Sequence, residues 1–121
     1  MRTTKRHFII FKKECEKWIK AFGLLGHKFY YTHEEMEGCI AQCTFPKQHE
    51  DRVFTLSLNT KLNFKYTIKE IKMSAFHEVM ESFLYRIRNI ANCRYIAPEE
   101  VDDEIHNIIR TLEKTMFMGG K

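Results

Sequence analysis

No apolar run in the chain is long enough to cross a membrane as a helix, which takes roughly 20 residues. The basic start, MRTTKRHFIIFKKE, holds only four consecutive apolar residues before Lys12 and Lys13. A secretory leader needs a longer apolar stretch and a small-residue cleavage site, so a cytoplasmic location is expected. Prolines number two and glycines five in 121 residues, and no Pro/Gly/Ser-rich linker, repeat or low-complexity tract occurs. One domain over residues 1–121 is the simplest organisation. The four cysteines, Cys15, Cys39, Cys43 and Cys93, include no CxxC pair. That argues against a zinc ribbon, and in a cytoplasmic chain they are expected to be reduced. No GxSxG, phosphate-binding P-loop or GxGxxG is present, so the common nucleophile and dinucleotide signatures are missing.

What is present is apolar and aromatic. Hydrophobic residues make up 44% and phenylalanines number 10, enough for a core without crosslinks. The charge is mildly basic: 20 Lys and Arg against 16 Asp and Glu, a net of +4. Six of the basic residues fall in the first 17 positions. Such an excess permits contact with nucleic acid or an acidic partner without demanding it.

Apolar residues at Phe8, Phe11, Cys15, Trp18, Ile19 and Phe22 recur every three or four positions, predicting a helix over about 5–23. Gly23 and Gly26 can end it. Three strand-like segments follow, near 27–33, 38–45 and 53–59. In the last, Phe54, Leu56 and Leu58 alternate with Thr55 and Ser57, so one face is buried. The short gaps favour an antiparallel meander. Thr67 and Glu70 form a capping-box pattern that opens a second helix running to about Ala91. Pro98 and the acidic residues Glu99, Glu100, Asp102 and Asp103 suit the first turn of a third. Its expected buried stripe is Val101, Ile105, Ile108, Ile109, Leu112 and Met116. The expected class is therefore α+β: an N-terminal helix, a three-stranded antiparallel sheet, then two further helices.

The second helix contains HEVME, residues 77–81. On a wheel of about 100° per residue, with His77 at zero, Phe76, Val79, Phe83, Ile87 and Ile90 gather between about 200° and 280°. His77 lies at the margin of that face. Glu81 sits one turn above it, about 40° round, so the two can converge on one ion. Glu78 projects about 100° away, where it can hold a water and take its proton. Zinc accepts both imidazole and carboxylate, and a catalytic zinc usually takes three protein ligands. His106, marginal on the third helix, can supply the third if the two helices pack as an antiparallel pair. The set is then His77, Glu81 and His106 around zinc, with Glu78 as general base. Asp102, Asp103 or Glu104 could orient an imidazole. A carboxylate-bridged di-iron bundle would need two E-x-x-H motifs and Glu from two more helices; only Asp103 and His106 approach one, and the strand-rich middle argues against a bundle.

Other clusters carry less. His33 with Glu34 and Glu35, and His49 with Glu50 and Asp51, fall in predicted turns, where polar residues are expected. Tyr30, Tyr31, Phe45 and Phe64, near Lys28, Lys47, Lys61 and Lys65, could stack on single-stranded nucleic acid. Packing accounts for them more simply.

The stretches AFHEVMESFL and EIHNIIRTLEK resemble small phage-encoded zincin-like metallopeptidases, which are distantly similar to SprT-like proteins. The resemblance follows the order of elements over most of the chain and is specific over these two stretches. It implies a minimal zincin-like domain in the host cytoplasm, with zinc bound by His77, Glu81 and His106, Glu78 as general base, and a protein or peptide substrate. The last of the three strands would be the edge along which an extended peptide lies. The chain departs from the pattern at Glu81, where these peptidases usually carry His. An anionic ligand lowers the charge on the metal and makes its water less acidic. Two other classes stay open: a non-catalytic, metal-stabilised module that binds a protein or nucleoprotein, and a small basic nucleic-acid binder.

Overall fold

Thr4 opens the first helix, α1 (Lys5–Ala21), by accepting the His7 N–H on its hydroxyl, while the His7 ring accepts the Thr4 N–H. The helix stops where the chain turns left-handed at Gly23, φ +68°. There the Gly23 N–H donates to Lys20 O and the Leu24 N–H to Ile19 O, the paired bonds that close a helix on glycine. The computed structural model describes residues 1–45, 52–92 and 97–116. Within them, α1 is followed by β1 (Lys28–Glu34), β2 (Ala41–Thr44), β3 (Val53–Asn59), α2 (Ile68–Phe83), α3 (Tyr85–Asn92) and α4 (Pro98–Met116). The class is α+β.

The sheet is mixed, not an antiparallel meander. Its order is β1-β3-β2, with β1 parallel to β3 and β2 antiparallel to it. β3 is therefore central, which corrects its expected place at the edge; β1 and β2 form the edges. Asn59, the last residue of β3, explains the order. Its side chain bonds the Met36 N–H, the Met36 carbonyl and the Cys39 carbonyl at 2.7–3.0 Å. The Asn59 N–H donates to Ile40 O and the Thr60 N–H to Glu34 O. The link from β1 to β2 is thus folded across the end of β3 and delivers β2 to the far side. Turn residues 46–51 lie outside the described residues.

Phe54, Leu56 and Leu58 of β3 face the helices and are essentially inaccessible, as are Phe11, Cys15, Ile71, Ala75 and Val79. These residues belong to one core cluster. The contacts between α1 and α2 step in the same direction along both helices. The Cys15 thiol approaches Ala75 O, Trp18 meets Phe76 edge-on, and Phe22 stacks on Phe83. Residues ahead of α1 tie it to the sheet: Thr3 N–H donates to Thr60 O, and the Thr3 hydroxyl donates to Asn59 O.

The second helix is shorter than its sequence suggests. Thr67 caps α2 through Glu70 N–H, but the helix breaks at Leu84 instead of running to Ala91. The Ser82 hydroxyl bonds back to Val79 O at 2.6 Å, and Tyr85 turns inward onto Phe45 and Phe54. α4 begins at Pro98 as expected and packs chiefly on α3, with Arg86 Nε 3.8 Å from Glu104 Oε2. Its stripe is only partly covered. Ile108 and Leu112 pack on the core, while Ile105 and Ile109 are more than two-fifths exposed. Among the described residues, no helix is long and apolar enough to cross a membrane.

Candidate metal centre

The buried arc of α2 consists of Ile71, Ala75, Glu78, Val79, Ser82 and Phe83. Ala75 and Ser82 are small, and they let neighbouring elements approach closely. Glu78, between them, is 7% exposed. This differs from the wheel reading, which centred the apolar face on the large residues and left Glu78 beside it. Phe76, counted in that face, is more than a third exposed. His77 is exposed and Glu81 half-buried.

His77, Glu78 and Glu81 come together at one end of a groove of about 820 Å³ between α2 and edge strand β2. One ligand atom from each lies within 4.8 Å of the others, and no other group of three such side chains does so among the described residues. Burial raises the Glu78 carboxyl to about 8, and the hydrogen bond and negative charge of Glu81 push the same way. A backbone hydrogen bond from Cys43 opposes them. The pair thus holds a proton at neutral pH. Glu81 also lies 3.3 Å from the Arg88 guanidinium. Cys39 and Cys43 line the same groove, and burial, ahead of the charge Glu78 carries once it ionises, raises both thiols, Cys43 to about 12.

The structure brings together three of the four residues singled out in the sequence. His106 is elsewhere: exposed on α4, its Nδ1–H donating to the Asp102 carbonyl at 2.7 Å, and absent from the cluster. α4 packs chiefly on α3, the tail of the expected second helix, and not on the part of α2 that carries His77. Glu104 pairs with Arg86 and, among the described residues, orients no imidazole. The donors that converge are one imidazole and two carboxylates, all on α2. That set suits a divalent cation of the zinc, manganese or iron type, with room for outside ligands on the groove side. A cation there would replace the shared proton and relieve the repulsion between the carboxylates.

Several of the remaining candidates have structural partners. His33 lies in β1, not in a turn; it bonds the Thr3 hydroxyl at 2.7 Å and stacks on Phe8. Residues 49–51, like Cys93 and Lys47, lie outside the described residues. Phe45 packs on Phe54 and Tyr85, and Tyr31 lies under Lys12. Tyr30 and Phe64 are exposed. The chain matches no protein-family model, no curated protein and no solved structure.

Proposed function

We propose that the protein is a metal-dependent hydrolase acting on an extended peptide, with zinc as the expected ion. The observation that carries this reading is Glu78. A carboxyl buried beside a second carboxyl is costly for folding, and such groups concentrate where chemistry is done. Nothing in core packing calls for it at a position flanked by Ala75, Val79 and Ser82. His77 and Glu81, one turn apart, would hold the ion at the groove, and Glu78 either completes the donor set or accepts a proton on its carboxylate. A bound divalent cation would polarise a carbonyl and acidify a water. β2 would offer the peptide its free edge, with Gln42 and Thr44 outward and Ala41 and Cys43 against the core.

The test combines elemental analysis of protein purified without a metal-affinity tag with cleavage of a quenched peptide library. About one equivalent of zinc is expected, lost in His77→Ala. Turnover should vanish in Glu78→Gln. Protein that carries no divalent metal and gains none on dialysis would end this reading.

One observation favours a second reading, a metal-stabilised binding module without catalysis. Arg88 already occupies one side of Glu81, as a partner in a closed structural site would. Under that reading a chelator lowers the melting temperature, and the metal-loaded protein cleaves no peptide.

A further inference from the structure

A second cavity, of about 460 Å³, lies where four parts of the chain meet: the turn after α1, the start of β3, the α2–α3 junction and the middle of α4. Its lining shares no residue with the groove at His77. Three guanidinium groups line it, from Arg52, Arg86 and Arg110, against one carboxylate, Glu104. Arg86 is the one Glu104 neutralises, at 3.8 Å. Arg110 donates to the neutral Asn107 Oδ1, at 3.3 Å, and neither Arg110 nor Arg52 has a carboxylate partner among the described residues. The Arg52 guanidinium lies over Gly26, where a Cβ would come within 3.5 Å of it.

His27 forms part of the wall, stacked against Phe54 at 5.7 Å. Its Nδ1 is buried and has no hydrogen-bond partner. Burial, and then the charge of Arg52, lower its pKa to about 4, so it adds no charge at neutral pH. The wall is therefore a neutral imidazole with an unused nitrogen, next to two guanidiniums that have no carboxylate partner among the described residues.

We propose that this cavity binds the phosphate group of a small phosphorylated molecule, held by Arg52 and Arg110. Guanidinium groups match phosphate oxygens in pairs and keep their charge at every relevant pH. Two guanidiniums lining one cavity suit a dianion better than a single carboxylate. The volume fits a compact ligand. A nucleic-acid strand would instead need cations spaced along a track.

Inorganic phosphate is the probe, titrated into the full chain and followed by amide chemical shifts. Saturable shifts at Gly26, His27 and Arg52 are expected, with at least a tenfold loss of affinity in Arg52→Ala/Arg110→Ala. Both side chains are on exposed residues, so the fold should survive, and circular dichroism checks it; Arg52→Lys should recover part of the binding. His77→Ala should bind phosphate normally, which separates this site from the metal centre. No saturable shift, or equal affinity in the double variant, would overturn the proposal. So would a single-stranded oligonucleotide that binds at least tenfold tighter than phosphate with a steep loss in salt.

Discussion

Glu78 and Glu81, three residues apart on α2, share a hydrogen bond between their carboxyls, and Glu78 does so while 7% exposed. In the unfolded chain Glu78 loses its proton near 4.5; in the folded chain it keeps it to about 8. Between those values the folded state holds the extra proton, so this group makes stability fall as pH rises. That is the reverse of an ordinary ion-paired carboxylate. Glu78→Gln keeps the shape and removes the titration. Metal-free Glu78→Gln should therefore be more stable than the parent, by a few kcal/mol at pH 8 and by little at pH 4.5. Urea denaturation at the two values reads this directly. A variant less stable than the parent at pH 8 would mean that Glu78 is a structural residue.

His106 gives a separate prediction about the donor set. It is exposed, and its ring is tied to the Asp102 carbonyl. His106→Ala should leave metal content and divalent-ion affinity within about twofold, against a loss of 100-fold or more in His77→Ala. Isothermal titration with zinc distinguishes them. A large loss in His106→Ala would require α4 to swing toward α2.

The difference between these two histidines was only half legible in the sequence. Spacing alone puts His77 and Glu81 on one helix edge, because both follow from 3.6 residues per turn. Spacing carries no information on what lies between two helices. The break at Leu84 has no glycine or proline to announce it; it comes from Tyr85 packing on Phe45 and Phe54, 40 and 31 positions away in the chain. The buried arc of α2 was misplaced for a related reason. Large side chains dominate a hydrophobicity wheel, yet Ala75 and Ser82 decide how close the neighbours come and which way Glu78 faces.

Strand order depends on Asn59 in the same way. The alternation of Phe54, Leu56 and Leu58 showed one buried face of β3 but not which strands flank it. Asn59 is 2% exposed and bonds Met36 and Cys39. Asn59→Ala should leave the Met36 N–H and two carbonyls without those partners, costing about 2–4 kcal/mol. Cys39 lines the groove, so metal affinity should weaken as well. Thermal denaturation and zinc titration on one preparation check both; a loss under about 0.5 kcal/mol would remove Asn59 from its organising role.

Arg88 competes with a metal for Glu81, from 3.3 Å. Both side chains are partly exposed, so the pair itself adds at most about 1 kcal/mol to stability. Arg88→Ala should bind zinc several-fold more tightly, since the cation no longer displaces a guanidinium. Weaker zinc binding in Arg88→Ala would assign Arg88 to holding Glu81 in place.

His27 sets a pH dependence of opposite sign to that of Glu78. Burial and the Arg52 charge lower it from 6.5 to about 4 in the folded state. The unfolded chain therefore takes up a proton first as pH falls. The His27 contribution is complete above pH 6.5 and is lost as pH drops toward 4, by at most about 3 kcal/mol. His27→Phe keeps an aromatic ring against Phe29 and Phe54 and removes the titration. Denaturation curves for parent and variant should converge toward neutral pH apart from a constant offset, then separate with the parent falling faster below 6.5. Parallel curves from pH 7 to 4 would show that His27 is protonated without penalty, with solvent or an acidic group reaching its buried Nδ1.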